Sequence, residues 1–240
     1  MNTPSWNIWR GVQDILFPPV CLFCSEDLQY RKEEILCPLC RAHLRYSDTH
    51  IVLHRDLMER MNDYYSFEWV FCKYRFPNLS KVKELIYHFK YKNLNYIGYI
   101  EGLHYGHIIQ SKLLSLEISH LIPIPIHWRK QLSRGYNQCI PLTQGLSEST
   151  NIPMIVNWLY RKKNTKSQTK LNKTERLQNM KNAFGLRRRN LAITEQPHFL
   201  LIDDVLTTGI TLSEAAICIH QRYPSAKISA CTLAYKDYTD

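Results

Sequence analysis

No run of about 18 apolar residues occurs in the 240-residue chain, so no segment reads as a transmembrane helix. The first nineteen residues carry one basic group, Arg10, and no apolar stretch long enough for the core of a secretory signal. The expectation is a soluble, cytoplasmic protein. Internal repeats and Gly/Ser-rich linkers are also missing. With 45% hydrophobic and 22% charged residues, the composition excludes collagen-like, low-complexity and disordered chains. The length allows one large domain or two small ones.

Acidic residues are scarce in one place only. Between His127 and Arg189 fourteen Lys or Arg face Glu148 and Glu175, a net +12 in a chain whose formal charge is +10. The rest of the chain is close to neutral. The plain reading of such a run is a solvated face. The alternative is a polyanionic partner, either a small phosphorylated molecule or a nucleic acid backbone.

Cysteine is present in a pattern. Cys21, Cys24, Cys37 and Cys40 form two C-x2-C pairs twelve residues apart, and Cys72, Cys139, Cys218 and Cys231 are scattered. Paired thiols at this spacing fit a tetrahedral four-cysteine zinc site whose sphere is full, hence structural. Two disulfides or redox CxxC motifs are the other readings; a reducing compartment disfavours the first. The scattered cysteines read as small core hydrophobes.

The chain divides into an N-terminal helix and zinc module over 1–47, a connector over 48–78 and an α/β domain over 79–240. A short helix is expected over Asn7 to Leu16, stopped by Phe17-Pro18-Pro19. Val82, Leu85, Ile86 and Phe89 recur at helical spacing within Leu79 to Lys92. Further helices are expected over Tyr96 to Leu116 and Gln138 to Ser149, and Leu121 to Ile126 begins as a strand that breaks at its prolines.

The chemistry concentrates between Phe199 and Tyr235. Phe199-Leu200-Leu201-Ile202 is a continuous apolar run, as in a strand buried on both faces of a parallel sheet. It is expected to end in Asp203-Asp204, two acids that are costly there unless they face a ligand or solvent. Val205-Leu206-Thr207-Thr208-Gly209-Ile210-Thr211 follows, and then an apolar helix face, with Thr211 and Glu214 at capping-box spacing. Lys227 to Tyr235 is a second strand. In an open α/β sheet the loop after such a strand is where ligands bind. A helix start with Gly209 and threonine hydroxyls can cradle a phosphate. The two carboxylates can accept hydrogen bonds from ribose hydroxyls, directly or around Mg²⁺.

This stretch resembles the 5-phosphoribosyl-1-pyrophosphate (PRPP) loop of the type I phosphoribosyltransferases. Ahead of it stand Ile122-Pro123-Ile124-Pro125-Ile126-His127 and Arg134-Gly135-Tyr136-Asn137-Gln138. Arg161, Gln168, Arg176, Asn179, Ala183 and Phe184 are strung along the basic stretch, and Leu85 to Lys92 precedes the core. With the four cysteines in front, the whole is similar to the ComF family of competence proteins, in its ComFC-type form. The resemblance implies a type I phosphoribosyltransferase-like parallel sheet behind a zinc module, a role in natural transformation, and handling of incoming single-stranded DNA alongside other competence proteins.

The resemblance also implies residue roles. Asp203 and Asp204 would hold the ribose hydroxyls and act as the catalytic acids, with Mg²⁺ arriving on PRPP. Thr207, Thr208, Gly209 and Thr211 would hold the 5′-phosphate. Arg129 and Arg134 would face the pyrophosphate from the Pro125 to Arg134 turn. Lys162, Lys163, Lys166, Gln168 and Arg176 would belong to a flexible loop that closes over the site. Many purine-base transferases carry an acid where this chain has Thr207, which argues against purine transfer. Two functions follow: a nucleic-acid-binding competence factor with a PRPP pocket, or an active PRPP-dependent transferase on an unidentified acceptor. Tyr136 and Trp158 are candidate stacking platforms for bases, against the plainer reading of core or loop packing.

Overall fold

The computed structural model describes residues 20–28, 34–44, 57–59, 61–76, 81–91, 95–162, 181–188 and 195–236. The helix expected over Asn7 to Leu16 lies outside them. The chain forms two compact units, Met1–Leu44 and Arg45–Asp240.

In the first unit the described residues are two tight turns and one short helix, α1 (Pro38–Ala42). Pro38 fits the first helical position, where its missing N–H costs nothing. Cys37 caps the helix, its sulfur accepting from the Cys40 amide. Leu28, Ile35, Leu36 and Leu44 are the large aliphatic side chains buried among the described residues of this unit. Arg41 pairs with Glu34 at 2.7 Å on the surface of the turn.

The second unit is an α/β domain. Its elements run β1 (Val70–Phe76), α2 (Lys81–Tyr91), α3 (Asn95–Ser115), β2 (His120–Pro123), α4 (Trp128–Arg134), α5 (Cys139–Thr150), β3 (Leu159–Arg161), β4 (Phe184–Leu186), β5 (His198–Leu206), α6 (Ile210–His220) and β6 (Lys227–Lys236). The main sheet has the order β1-β6-β5-β2 and every pairing in it is parallel. β3 and β4 make a separate antiparallel pair. β5 lies inside the sheet, and Phe199, Leu200, Leu201 and Ile202 are wholly buried, as an unbroken apolar run requires.

Three readings of the sequence change here. The segment taken as a connector carries β1, which pairs with β6 from Val70↔Ala230 to Phe76↔Lys236. Its alternating Lys73 and Arg75 hid the strand, because Lys73 is buried by an ion pair rather than by apolar character. β5 does not stop at the acids. It runs through Asp203 and Asp204 to Leu206, since Asp203 and Val205 are still in register with Thr232 and Ala234 of β6. The capping box at Thr211 does not form. α6 starts at Ile210 with Gly209 as its N-cap, two residues before the expected cap, and Glu214 instead accepts from the Asn182 amide at 3.0 Å.

Helices α3 and α5 cross with their backbones in contact. A methyl at Gly102 would stand 2.2 Å from the Leu142 carbonyl oxygen, and one at Gly145 would stand 2.1 Å from that of Tyr99. Glycine is required at that crossing because nothing larger fits between the two backbones. On one face of the sheet Trp158, Phe199 and Tyr223 form an aromatic cluster with centroids 5.5 to 6.2 Å apart. Trp158 is 1% exposed, so it belongs to the core and offers no face to a base. Of the scattered cysteines, Cys72, Cys139 and Cys231 are buried and Cys218 is partly so.

Candidate functional sites

The four sulfurs of Cys21, Cys24, Cys37 and Cys40 all lie within 4.8 Å of one another. The Cys24 and Cys37 sulfurs are 3.7 Å apart. A tetrahedral zinc with bonds of about 2.3 Å sets its sulfurs about 3.8 Å apart, so the donor set fits. None of the four is bonded to another cysteine. The first knuckle closes through the Ser25 amide on the Cys21 carbonyl, with Ser25 at φ 60°. The second brings the Cys37 amide to the Cys21 sulfur at 3.3 Å. Burial raises the Cys21 thiol, but the amides around it outweigh burial and bring it down to about 6. Burial and the three neighbouring sulfurs push Cys40 up to about 12. Four thiols this close do not all ionise without a cation among them, and a divalent metal removes that conflict. The four cysteines could therefore hold a metal such as zinc.

The second site forms at the carboxyl end of β5. Asp203 and Asp204 are its last partly exposed acids, and Thr207, Thr208 and Gly209 make the turn into α6. Gly209 has φ +78°, a conformation that side chains with a Cβ rarely adopt. A methyl there would also meet Met61 Cγ at 2.8 Å, so the loop is pressed onto Met61. Gly209 offers no side chain to cap α6, whose first turn opens toward the loop. Such an end attracts anions.

The acids are held by groups from other elements. Asp203 Oδ1 accepts from the Asp204 amide at 2.9 Å and from the Cys139 thiol at 3.5 Å. Lys90 Nζ, from the end of α2, pairs with Asp204 Oδ2 at 3.0 Å. Burial, and then repulsion by Asp204, hold the Asp203 carboxyl up at about 6. Arg161 is half-buried at the end of β3, its guanidinium over the Phe184 ring. Burial lowers its pKa, and the charge of Asp203 opposes that. Asn137 ties the return of the α4 excursion to the sheet: its Nδ2 donates to the Ile124 carbonyl at 3.0 Å, and its Oδ1 accepts from the Cys139 amide. Lys90 and Cys139 were not singled out as site residues in the sequence. Lys90 stands in the segment before the core, where only its position after a helical apolar face could have drawn attention.

Arg129 is exposed on α4, its guanidinium over the Trp128 ring at 5.2 Å. Arg134 ends that helix, and its side chain is outside the described residues. Lys162 is exposed and its amide donates to the Ala183 carbonyl at 2.7 Å. Lys163, Lys166, Gln168 and Arg176 lie outside the described residues, between β3 and β4. Tyr136 is half-buried and its hydroxyl donates to the Phe89 carbonyl, tying α2 to the segment after α4. The described residues thus bring together Asp203, Asp204, the Thr207–Gly209 turn and Lys90; Arg129 contacts none of them.

The raised Asp203 pKa predicts a pH dependence. A carboxyl whose folded pKa stands above its ordinary 3.8 adds stability below that value, and the addition is lost as pH rises through about 6. Asp203→Asn should therefore raise the melting temperature at pH 7 and flatten the stability change between pH 4 and 6. The gain should be on the order of 1–3 kcal/mol. Thermal unfolding across that pH window checks it; a destabilised variant at pH 7 contradicts it.

The phosphoribosyl transferase domain family matches residues 139–239, a span that holds β5, α6 and β6 with their acids and loop. With the parallel sheet, this defines a type I phosphoribosyltransferase-like fold. Competence protein F of Haemophilus influenzae is 43% identical over 96 residues, covering 39% of this chain and 41% of that protein. Competence protein ComFC of Bacillus subtilis is 34% identical over 113 residues, covering 47% and 43%. DNA utilization protein YhgH of Escherichia coli O157:H7 is 33% identical over 118 residues, covering 44% and 50%. Over these spans the chain is similar to competence proteins of the ComF type. The chain spans about two fifths to one half of the length of the curated relatives it matches. A hypoxanthine-guanine phosphoribosyl transferase structure from L. donovani aligns at TM-score 0.34 and 12% identity, covering 58% of this chain and 67% of that one. No helix among the described residues is long and apolar enough to cross a membrane.

Proposed function

We propose that this chain is a competence factor that binds PRPP with Mg²⁺ at the β5–α6 turn and handles single-stranded DNA along its basic stretch. The observation that carries the first part is the joint placement of Asp203, Asp204 and the uncapped start of α6 within the matched domain. Two acids beside a turn rich in hydroxyls and amides suit a ribose 5-phosphate: carboxylates for the hydroxyls, amides for the phosphate. Mg²⁺, when bound with PRPP, neutralises charge on the pyrophosphate. Lys90 stays paired with Asp204 at 3.0 Å until ribose hydroxyls compete for that acid. The competence role draws on the names of the relatives, two competence proteins and a DNA utilization protein.

The DNA part rests on charge. Net +12 between His127 and Arg189 exceeds what one pyrophosphate can neutralise. A strand offers one phosphate per nucleotide, and each contact releases a counterion. Fluorescence anisotropy of a labelled oligonucleotide should then show log affinity falling with log salt, by about 0.7 per phosphate contact. Changing Lys162, Lys163 and Lys166 together to Gln should weaken all sequences alike and flatten the slope. A salt-independent signal, or an unchanged slope in the triple variant, counts against the DNA reading. A transferase on an unidentified acceptor is the second reading, favoured by the paired acids where positive charge would grow on a ribose losing pyrophosphate. Pyrophosphate release with PRPP, Mg²⁺ and candidate acceptors distinguishes the two.

A further inference from the structure

The 124–139 excursion leaves the carboxyl edge of the sheet and returns to it beside the acids of β5. One foot is the Ile124 amide on the Ile202 carbonyl, 2.8 Å. The other is Asn137 on the Ile124 carbonyl and the Cys139 thiol on Asp203. Between the feet stands α4, fixed at its start by His127, whose ring nitrogen accepts from the Arg129 amide at 3.3 Å. At its end Gly135 takes φ +81° and its amide closes on the Gln131 carbonyl. This short helix buries little of its apolar surface. Trp128 is 58% exposed and Leu132, one turn on, is 76% exposed.

An exposed tryptophan on a tethered helix leaves most of its indole in water, so it suits a partner with flat apolar faces. Three of the seven residues of α4 are basic (Arg129, Lys130, Arg134), and Arg129 already lies over the indole at 5.2 Å. The occupant therefore carries negative charge and π-faces together. A second copy of the chain would bring the same basic stretch against this one, and like charges oppose that contact. A duplex hides its bases in the stack. Single-stranded nucleic acid has both features exposed: phosphates for the basic residues, bases for the indole.

We infer that Trp128, with Leu132 beside it, is a base-stacking platform for single-stranded nucleic acid. It does what Trp158, sealed in the core, cannot. Because both feet of the excursion touch the β5 site, a strand on α4 lies next to the turn proposed for PRPP. This inference rests on the single-stranded DNA reading above and adds the contact that reads bases rather than phosphates.

The test compares two labelled oligonucleotides of equal length, one of thymidines and one of abasic sites, by anisotropy over a salt series with the full chain. Wild type should prefer the thymidine strand by about 5- to 100-fold, the range expected for stacking of one base. Trp128→Ala should reduce that preference toward one and leave the salt slope unchanged, because the phosphate contacts remain. Trp128→Phe should keep most of the preference, which a merely structural role would not predict. If Trp128→Ala keeps the wild-type preference while wild type binds with a normal salt slope, the platform is wrong and the DNA reading stands. If wild type shows no salt-dependent binding, both fall. Dissociation of a dimer by Trp128→Ala in sedimentation, with oligonucleotide affinity unchanged, overturns the inference in favour of a second copy.

Discussion

Replacing Cys37 by Ser should unfold the N-terminal unit and leave the α/β domain folded. Cys37 has three tasks in that unit. Its sulfur is one of four within 4.8 Å of one another, it caps α1 through the Cys40 amide, and its own amide donates to the Cys21 sulfur. Among its described residues the unit buries few large apolar side chains, so a bound structural zinc would supply much of its stability, on the order of 10 kcal/mol. Losing one thiolate removes most of that and leaves the remaining sulfurs in mutual repulsion. Protein purified without added metal should contain about one zinc per chain by elemental analysis. The variant should contain much less, and its residues 20–28 and 34–44 should lose hydrogen-exchange protection while β5 and β6 keep theirs. Absence of zinc from wild type, bound iron in its place, or full protection in the variant contradicts the zinc assignment.

Glu101→Gln should destabilise the α/β domain by about 3–5 kcal/mol. Glu101 on α3 is wholly buried, and its Oε2 accepts from Lys73 Nζ at 2.5 Å and from the Tyr74 hydroxyl at 2.7 Å. Lys73 also donates to the Glu101 backbone carbonyl at 3.1 Å. Removing the carboxylate charge leaves an ammonium 1% exposed without its counter-ion, and burial of an uncompensated charge is the larger cost. The double change Lys73→Met with Glu101→Leu should recover most of the loss, since neither partner is then charged. Chemical denaturation of the three proteins measures both values. A single variant within 1 kcal/mol of wild type would mean the pair is not what fixes α3 on β1.

Apolar periodicity exposed most of the framework. Val82, Leu85, Ile86 and Phe89 marked α2, and the run from Phe199 to Ile202 marked the buried strand. What it hid was strand structure carried by polar residues. β1 holds Lys73 and Arg75, and the end of β5 holds two acids, so neither read as strand from hydrophobicity. Register with β6 settles both, and register depends on residues more than 25 positions away. The acids and the turn to α6 were legible because they follow one another in the chain. Lys90, Cys139 and Asn137 were not, because each reaches the site from a different element. Trp158 and Trp128 show the same limit. Both stand in the basic stretch, and only packing against Phe199 and Tyr223 tells the core residue from the exposed one.

The most direct measurement is calorimetric titration of PRPP with Mg²⁺ into wild type and into the double variant Asp203→Asn with Asp204→Asn. Wild type should bind with one site per chain. The variant should bind at least about tenfold more weakly, as loss of a hydrogen-bonded charge implies, with no loss of thermal stability. Binding of PRPP by the double variant as tightly as by wild type would contradict the assignment of the β5–α6 turn as the ribose-phosphate site.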